Sequence, residues 1–187
     1  MLTIYIGKSA SGKDTFFQKM IRLGIKPIIS YTTRPKREKE IEGKDYFFIS
    51  KREFSKKISN CEFLEYRSYE TLVNGKKDVW WYGSPVVDVK NNDYVTVLDI
   101  DGAKSCIEAY GSENVDICYI DVDDEIRKER ATIRGSFDET EWNRRCNDDK
   151  KVFSEENLKE LASLLGRPYT RMFNNNPYKV TFSTISN

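Results

Sequence analysis

A glycine-rich segment near the N-terminus has the residue types and spacing that bind phosphate. "GKSASGKDT" runs from residue 7 to 15, between the apolar "LTIYI" and the amphipathic "KDTFFQKMIRLG". Its glycines allow a tight turn whose backbone N–H groups point inward, the following helix N-terminus adds partial positive charge, and the lysine reaches the outer phosphates. The segment predicts a loop for a nucleoside triphosphate, formed by Gly7, Ser9, Ser11, Gly12, Lys13, Asp14 and Thr15.

The position after the lysine departs from the usual form of this loop. A Ser or Thr hydroxyl there normally meets Mg²⁺, whereas this chain has Asp14 followed by Thr15. We expect Thr15 to take part of that role, or Asp14 to reach the ion through water.

A second stretch combines cations with hydroxyls: "SYTTRPKREKEIEGKDYFF", residues 30–48. Guanidinium forks and hydroxyls hold a dianionic phosphate monoester best, so Ser30, Arg34, Arg37 and Tyr46 around one loop would clamp one. The alternative is a solvated charged hairpin, because a run of charges is usually surface.

Bulk properties exclude several classes of function. The 187 residues fit one domain, and 31 Lys and Arg against 30 Asp and Glu give no general attraction to nucleic acid or to a membrane surface. Four scattered cysteines without a histidine predict reduced thiols and no zinc site. With no signal peptide and no long apolar run, we expect a cytoplasmic protein. The absence of histidine favours a reaction that depends on positioning and charge.

Apolar runs and helical patterns alternate along the chain. "LTIYI", "KPIIS", "YVTVLDI" and "VDICYIDV" read as strands, and the helices between them predict an α/β fold with a parallel sheet covered on both faces. The aromatic-rich residues 45–84 predict a small inserted mixed or antiparallel sheet. Residues 123–165 are helical in pattern, interrupted at "RGSFDE". "NNNP" at 174–177 predicts a turn and "YKVTFST" a last strand.

The second stretch resembles the nucleotide-monophosphate-binding signature of guanylate kinases. The agreement covers Thr32, Thr33, Arg34, Arg37, Glu40, Gly43, Asp45 and Tyr46. "EFLEY" and "YGS" resemble later segments of that family, which implies that Glu65 pairs with the guanine edge, Tyr82 touches the GMP phosphate and Ser84 donates to O6. A glutamate accepts from both the N1–H and the exocyclic amine of guanine. Adenine does not present this pair of donors.

"VLDID" resembles the acidic strand end of the same family. The resemblance implies that Asp99 orients Mg²⁺ through water and that Asp101 contacts the nucleobase, at the edge of the sheet where ligands bind. Both residues have an alternative interpretation as ordinary strand-terminal carboxylates.

"RKERATIRGSFDETEWNRR" resembles the lid of the family. Arg130 and Arg134 lie four apart, and Arg145 comes from the next helical stretch, so all three are expected to close over the triphosphate. The alternative is that they are solvated helix charges, balanced by Glu125, Glu129 and Glu141.

Together the resemblances imply one domain, residues 1–187, that phosphorylates GMP and dGMP with ATP and Mg²⁺ by direct in-line transfer. Its core would be 1–30, 85–122 and 146–187, its GMP-binding subdomain 31–84 and its lid 123–145. The catalytic set would be Lys13, Arg34, Arg130, Arg134 and Arg145. A kinase for another nucleoside monophosphate, a deoxynucleotide or a ribosyl phosphate remains an alternative, as does a catalytically silent protein-binding module. The oligomeric state stays open between monomer and dimer.

Two departures from the family concern length. "RSYETLVNGKKDVWW" is longer than usual between Glu65 and Tyr82, which predicts a longer hairpin or loop. The chain ends at "STISN", sooner after its last strand than is usual.

Overall fold

Strands and helices alternate along the chain in the structure, a computed structural model that describes residues 1–38, 40–73, 76–133, 137–176 and 179–185. The strands are β1 Leu2–Ile6, β2 Lys26–Pro27, β3 Tyr31–Thr32, β4 Phe47–Phe48, β5 Phe63–Val73, β6 Lys76–Pro85, β7 Tyr94–Val97, β8 Val115–Asp121, β9 Tyr169–Asn176 and β10 Lys179–Ile185. The helices are α1 Lys13–Arg22, α2 Lys51–Ser59, α3 Ile100–Tyr110, α4 Asp124–Ile133, α5 Glu139–Val152 and α6 Glu155–Leu165.

The chain divides into two compact units. One contains Met1–Lys26 and Val89–Asn187, and the other contains Pro27–Asp88.

The first unit is built on a six-stranded sheet in the order β10-β9-β8-β1-β7-β2. Strand β1 runs parallel to β7 and β8, β8 runs parallel to β9, and β10 is antiparallel to β9. Parallel strands end at the same edge, so the loop after β1 and the start of α4 after β8 emerge side by side. The predicted class, a parallel sheet with flanking helices, is confirmed.

Helices cover both faces of this sheet. Tyr5, Ile120 and Met172 form one face of the core, against which the apolar side of α1 packs. The alternate residues of β1 point the other way and are fully buried. Helix α3 contacts β1 and β8, and it packs against α6. Strands covered on both faces are apolar along their length, which is why the apolar runs "LTIYI" and "VDICYIDV" were predictable as strands.

The second unit is built on a four-stranded mixed sheet in the order β4-β3-β6-β5. Strands β5 and β6 form a long antiparallel hairpin that pairs Glu65 with Ser84 and Arg67 with Tyr82. Aromatic rings fill its core: Phe54 of α2 lies 4.5 Å from Phe63 between ring centroids. The predicted inserted sheet is therefore present, and its longer segment forms a hairpin.

Three local predictions differ from the structure. The strand predicted for "KPIIS" is only Lys26–Pro27, because proline has no N–H with which to continue the ladder. Asn174–Asn176 belong to strand β9 rather than to a turn, and Pro177 lies outside the described residues. Helix α2 was not predicted, although Ser50 and Glu53 form a capping box at its start.

Among the described residues, no helix is long and apolar enough to span a membrane.

The packing around Gly83 gives a prediction for stability. A Cβ at this position would lie 2.9 Å from Cζ of Phe54 and 3.0 Å from Cδ1 of Phe63. We expect Gly83→Ala to lower the free energy of unfolding by about 1–3 kcal/mol, the usual cost of an overpacked core. Denaturant unfolding followed by tryptophan fluorescence measures it.

The matched control is the same substitution in a Phe54→Leu background, where the smaller side chain leaves room for the methyl group. The cost of Gly83→Ala should then fall. An equal cost in both backgrounds would show that Phe54 is not the obstacle.

Candidate functional site

The glycine-rich loop of the first unit joins β1 to α1 and lies against β8 and β9. Gly7 has φ 152°, and a Cβ there would lie 2.5 Å from the carbonyl oxygen of Ile120. Gly12 has φ 95°, and its Cβ would lie 2.8 Å from Nδ2 of Asn174. Both glycines are therefore required by positive φ and by close approach, as a phosphate-binding loop demands.

The polar side chains of the loop differ in their contacts and exposure. Lys13 Nζ donates to the carbonyl oxygens of Gly7 at 2.6 Å and Lys8 at 2.9 Å, which holds the ammonium group over the loop. Ser11 is fully buried, and its hydroxyl has no partner within the described part of the chain. Asp14 and Thr15 are exposed in the first turn of α1.

Arg130, predicted from the lid resemblance, lies at this loop. Its NH1 donates to the Ser11 carbonyl at 3.3 Å and its NH2 to the Asn174 carbonyl at 2.7 Å. The Asn174 side chain closes the group by donating to the same Ser11 oxygen at 2.9 Å. Asn174 was not predicted as a site residue, because no motif distinguishes it from its asparagine neighbours; only the fold brings it there.

Arg127 and Asp149 also contact the loop and were not predicted. Arg127 donates to the Ser9 carbonyl at 2.8 Å, and Asp149 accepts from the Ser9 N–H at 2.8 Å. In sequence they are two charges among many in a highly charged helical region. One signal was present in the sequence: Asp124 and Arg127 are three residues apart, the spacing of an ion pair on one face of a helix.

The remaining predicted residues of this unit lie at helix α3, on helix α5 or outside the described residues. Arg145 is exposed on α5, and Arg134 lies outside the described residues. Asp99 is the N-cap of α3 and accepts from Gly102 N–H at 2.8 Å, so its carboxylate has at least this structural role. Asp101 is exposed in the first turn of that helix.

The described residues contain no group of three or more His, Cys, Asp or Glu side chains suited to a metal ion. In the first turn of α1, the exposed carboxylate of Asp14 and hydroxyl of Thr15 are oxygen donors of the kind that suits Mg²⁺ bound chiefly by phosphates and water.

In the second unit, Arg34 is held by Glu40. The guanidinium is 5% exposed and makes a bidentate pair, NH1 to Oε2 at 3.0 Å and NH2 to Oε1 at 2.6 Å. Burial opposes its charge, but the hydrogen bonds to Glu40, with a smaller contribution from Tyr82, outweigh burial and raise the pKa of Arg34. The same bonds lower the pKa of Glu40. Arg34 is therefore a fixed cation.

Aromatic rings surround this cation. Its central carbon lies 5.7 Å from the ring centroid of Tyr46 and 5.6 Å from that of Phe48. The rings of Tyr46 and Tyr82 meet edge to face at 5.8 Å. The structure thus brings together three residues predicted to bind phosphate, namely Arg34, Tyr46 and Tyr82. Arg37 is exposed, and its backbone N–H donates to Glu40 at 2.8 Å.

A second cluster joins the residues predicted to read a base. Ser84, 3% exposed, donates to Oε1 of Glu65 at 2.7 Å, and its oxygen lies 3.3 Å from that of Ser30. Arg67 Nε lies 3.5 Å from the other carboxylate oxygen of Glu65. Arg67 was not predicted, because it falls in the part of the hairpin that departs from the family pattern.

The Arg34–Glu40 pair gives a pH-dependent prediction. Because folding lowers the pKa of Glu40 from its ordinary 4.5, the pair stabilises the fold above about pH 4.5 and is lost as the pH falls through the lower folded pKa. We expect Glu40→Gln to cost about 3 kcal/mol of unfolding free energy at neutral pH, since it leaves a buried charge unpaired. The difference from the parent should shrink below pH 4.5.

Unfolding curves from pH 3 to pH 8 measure this difference. Glu62→Gln, at an exposed pair with Lys57, is the matched control and should change stability by less than about 0.5 kcal/mol. A constant penalty for Glu40→Gln down to pH 3 would contradict the account.

Comparison with known proteins agrees with these features. A family model described as guanylate kinase matches residues 2–161. The guanylate kinase of Symbiobacterium thermophilum is 36% identical over 143 residues, which cover 73% of this chain and 64% of that protein. The guanylate kinase of Clostridium tetani is 36% identical over 142 residues, with the same coverage. The matches therefore span slightly less than two thirds of the length of these relatives.

A solved structure carries the same fold. The crystal structure of guanylate kinase from Anaplasma phagocytophilum aligns with a TM-score of 0.59 at 21% identity, covering 94% of this chain and 77% of that one. The family model, which extends over most of the sequence, establishes that the chain belongs to the guanylate kinase family.

Proposed function

We propose that the chain transfers the γ-phosphoryl group of ATP to GMP, and also to dGMP, yielding ADP and the guanosine diphosphate. One observation carries the proposal. Tyr82, one of the residues predicted to bind phosphate, and Ser84, one of those predicted to read the base, lie two residues apart on one face of strand β6. Their spacing is roughly 7 Å. A single nucleoside monophosphate spans such a distance from its phosphate to its base.

Base selection follows from Glu65 and Ser84. The carboxylate accepts from N1–H and the exocyclic amine of guanine, and the serine hydroxyl, turned from Glu65, donates to O6. Adenine presents neither pattern and would leave these polar groups without partners, which is the costly kind of mismatch. Asp101 is a further proposed base contact, and Arg37 a further phosphate contact.

Phosphoryl transfer between two anions requires fixed positive charge and exclusion of water rather than a covalent intermediate. Lys13 and Arg130 provide that charge at the phosphate loop, and Arg34 provides it at the acceptor. Arg134 and Arg145 complete the proposed set as residues of a lid, 123–145, that closes over ATP. Mg²⁺ bound with ATP would neutralise phosphate charge beside Asp14 and Thr15, with Asp99 acting through water.

The four cysteines, all among the described residues, form no disulfide, and on this ground we propose a reducing compartment such as the cytoplasm.

One observation favours a second candidate, a kinase for another or a modified nucleoside monophosphate. Arg67 places a cation 3.5 Å from the proposed base reader, where it can donate to an acceptor atom of a different base. A silent protein-binding module is disfavoured, because Lys13 and Arg130 both contact the phosphate loop.

The test is turnover by the purified chain with ATP and Mg²⁺ over a panel of GMP, dGMP, AMP, CMP and UMP, with ADP release as the readout. We expect activity with GMP and dGMP and little with the others. Turnover of a different acceptor alone would favour the second candidate, and no turnover with any of them would overturn kinase function.

Glu65→Gln tests the base reader. An amide turns one acceptor into a donor that opposes the donors of guanine, so we expect kcat/KM for GMP to fall at least about a hundredfold, with the KM for ATP unchanged.

Glu70→Gln is the matched control, exposed on the opposite face of the same hairpin, and it should behave like the parent. Equal effects of the two substitutions would remove Glu65 as the base reader.

A further inference from the structure

We propose that Arg127 and Asp149 are positioning residues that hold the phosphate loop at Ser9 in its ATP-binding form. The inference rests on the proposed function, because it concerns the affinity of that loop for ATP.

The contacts converge on one loop residue. Asp149 Oδ2 accepts from the Ser9 N–H at 2.8 Å, and Oδ1 lies 3.4 Å from the Ser9 hydroxyl oxygen, which donates to it. Arg127 NH1 donates to the Ser9 carbonyl at 2.8 Å and to Asp149 Oδ2 at 3.0 Å. Both backbone polar groups of Ser9 are thus engaged by one ion pair.

The Arg127–Asp149 ion pair is largely shielded from solvent. Arg127 is fully buried, its NH2 donates to Asp124 at 2.8 Å, and its central carbon lies 5.5 Å from the Trp142 ring centroid. Burial opposes its charge, but the bonds to Asp124 and the field of Asp149 outweigh burial and raise the pKa of Arg127. A buried ion pair is a poor source of stability compared with apolar packing, so its geometric role is the better explanation.

The next loop residue shows why the loop needs such support. Ala10 has φ 59°, a left-handed conformation that costs a residue with a Cβ roughly 1–2 kcal/mol. Strained backbone persists only where its surroundings hold it. Fixing the N–H and the carbonyl of Ser9 constrains the chain directly before Ala10.

The same pair links the loop to two helices. Arg127 lies on α4 one turn before Arg130, and Asp149 lies on α5 one turn after Arg145. The loop and the helices that carry these proposed catalytic arginines are therefore tied at Ser9.

The decisive variant is Arg127→Met with Asp149→Leu. Replacing a buried ion pair by apolar residues of similar size is often neutral or stabilising, so the protein should fold, yet it can no longer hold Ser9. We expect the Kd for ATP, measured by titration calorimetry, to rise about tenfold, while the Kd for GMP stays unchanged. Asp149→Asn, which keeps an acceptor for the Ser9 N–H, should show a smaller loss.

The matched control is Arg167→Met with Asp116→Leu, a half-exposed ion pair at the start of strand β8, the end of that strand away from the phosphate loop. It should leave ATP binding as in the parent. Unfolding curves of both double variants confirm that each is folded at the temperature of the titration.

The outcomes separate the two proposals. If the parent binds ATP and the folded Arg127→Met, Asp149→Leu variant binds it equally or more tightly, the positioning role is wrong while kinase function stands. If the parent binds no ATP, the proposed function and this inference fail together.

Discussion

The phosphate loop must present its backbone N–H groups inward, and much of the first unit is arranged to make that possible. Gly7 and Gly12 adopt conformations that other residues rarely adopt, and both approach neighbouring strands too closely for a side chain. The carbonyls that the turn directs outward are met by Lys13, Arg127 and Arg130. In the proposed function, Lys13 and Arg130 also supply positive charge for the polyphosphate of ATP.

The second unit also holds charged side chains in fixed orientations, but it does so with side-chain partners. Arg34 must remain charged and oriented although it is buried, and Glu40 achieves this with two parallel hydrogen bonds. Ser84 donates to one carboxylate oxygen of Glu65, and Arg67 lies 3.5 Å from the other, so both oxygens of the proposed base reader have a partner. In both units a charged group is fixed by a partner before it can act on a ligand, which is the basis of preorganisation.

The elements with strong local patterns were predictable from sequence, and those held by tertiary contacts were not. Strand β1 follows from a short apolar run, helix α1 from the helical spacing of its apolar residues, and the inserted sheet from its aromatic-rich composition. Strand β9 was not predicted, and its Asn174–Asn176 part was interpreted as a turn because three asparagines suggest one. In the structure Asn174 is buried and bonded to Ser11. Arg127 and Asp149 are 22 residues apart, and nothing local shows that they meet. Arg34 and Tyr46 were selected because guanidinium and hydroxyl groups bind phosphate, and Tyr82 was selected through the family resemblance. The structure brings the three together.

The proposed function requires one chain to bind ATP and GMP at the same time. A guanosine and an adenosine joined 5′ to 5′ through a polyphosphate of five groups tests this most directly, because it carries both ends at once. Calorimetry should give one molecule per chain with an affinity well above that of ATP or GMP alone, since the second contact is made intramolecularly. Binding no tighter than that of ATP would contradict the account.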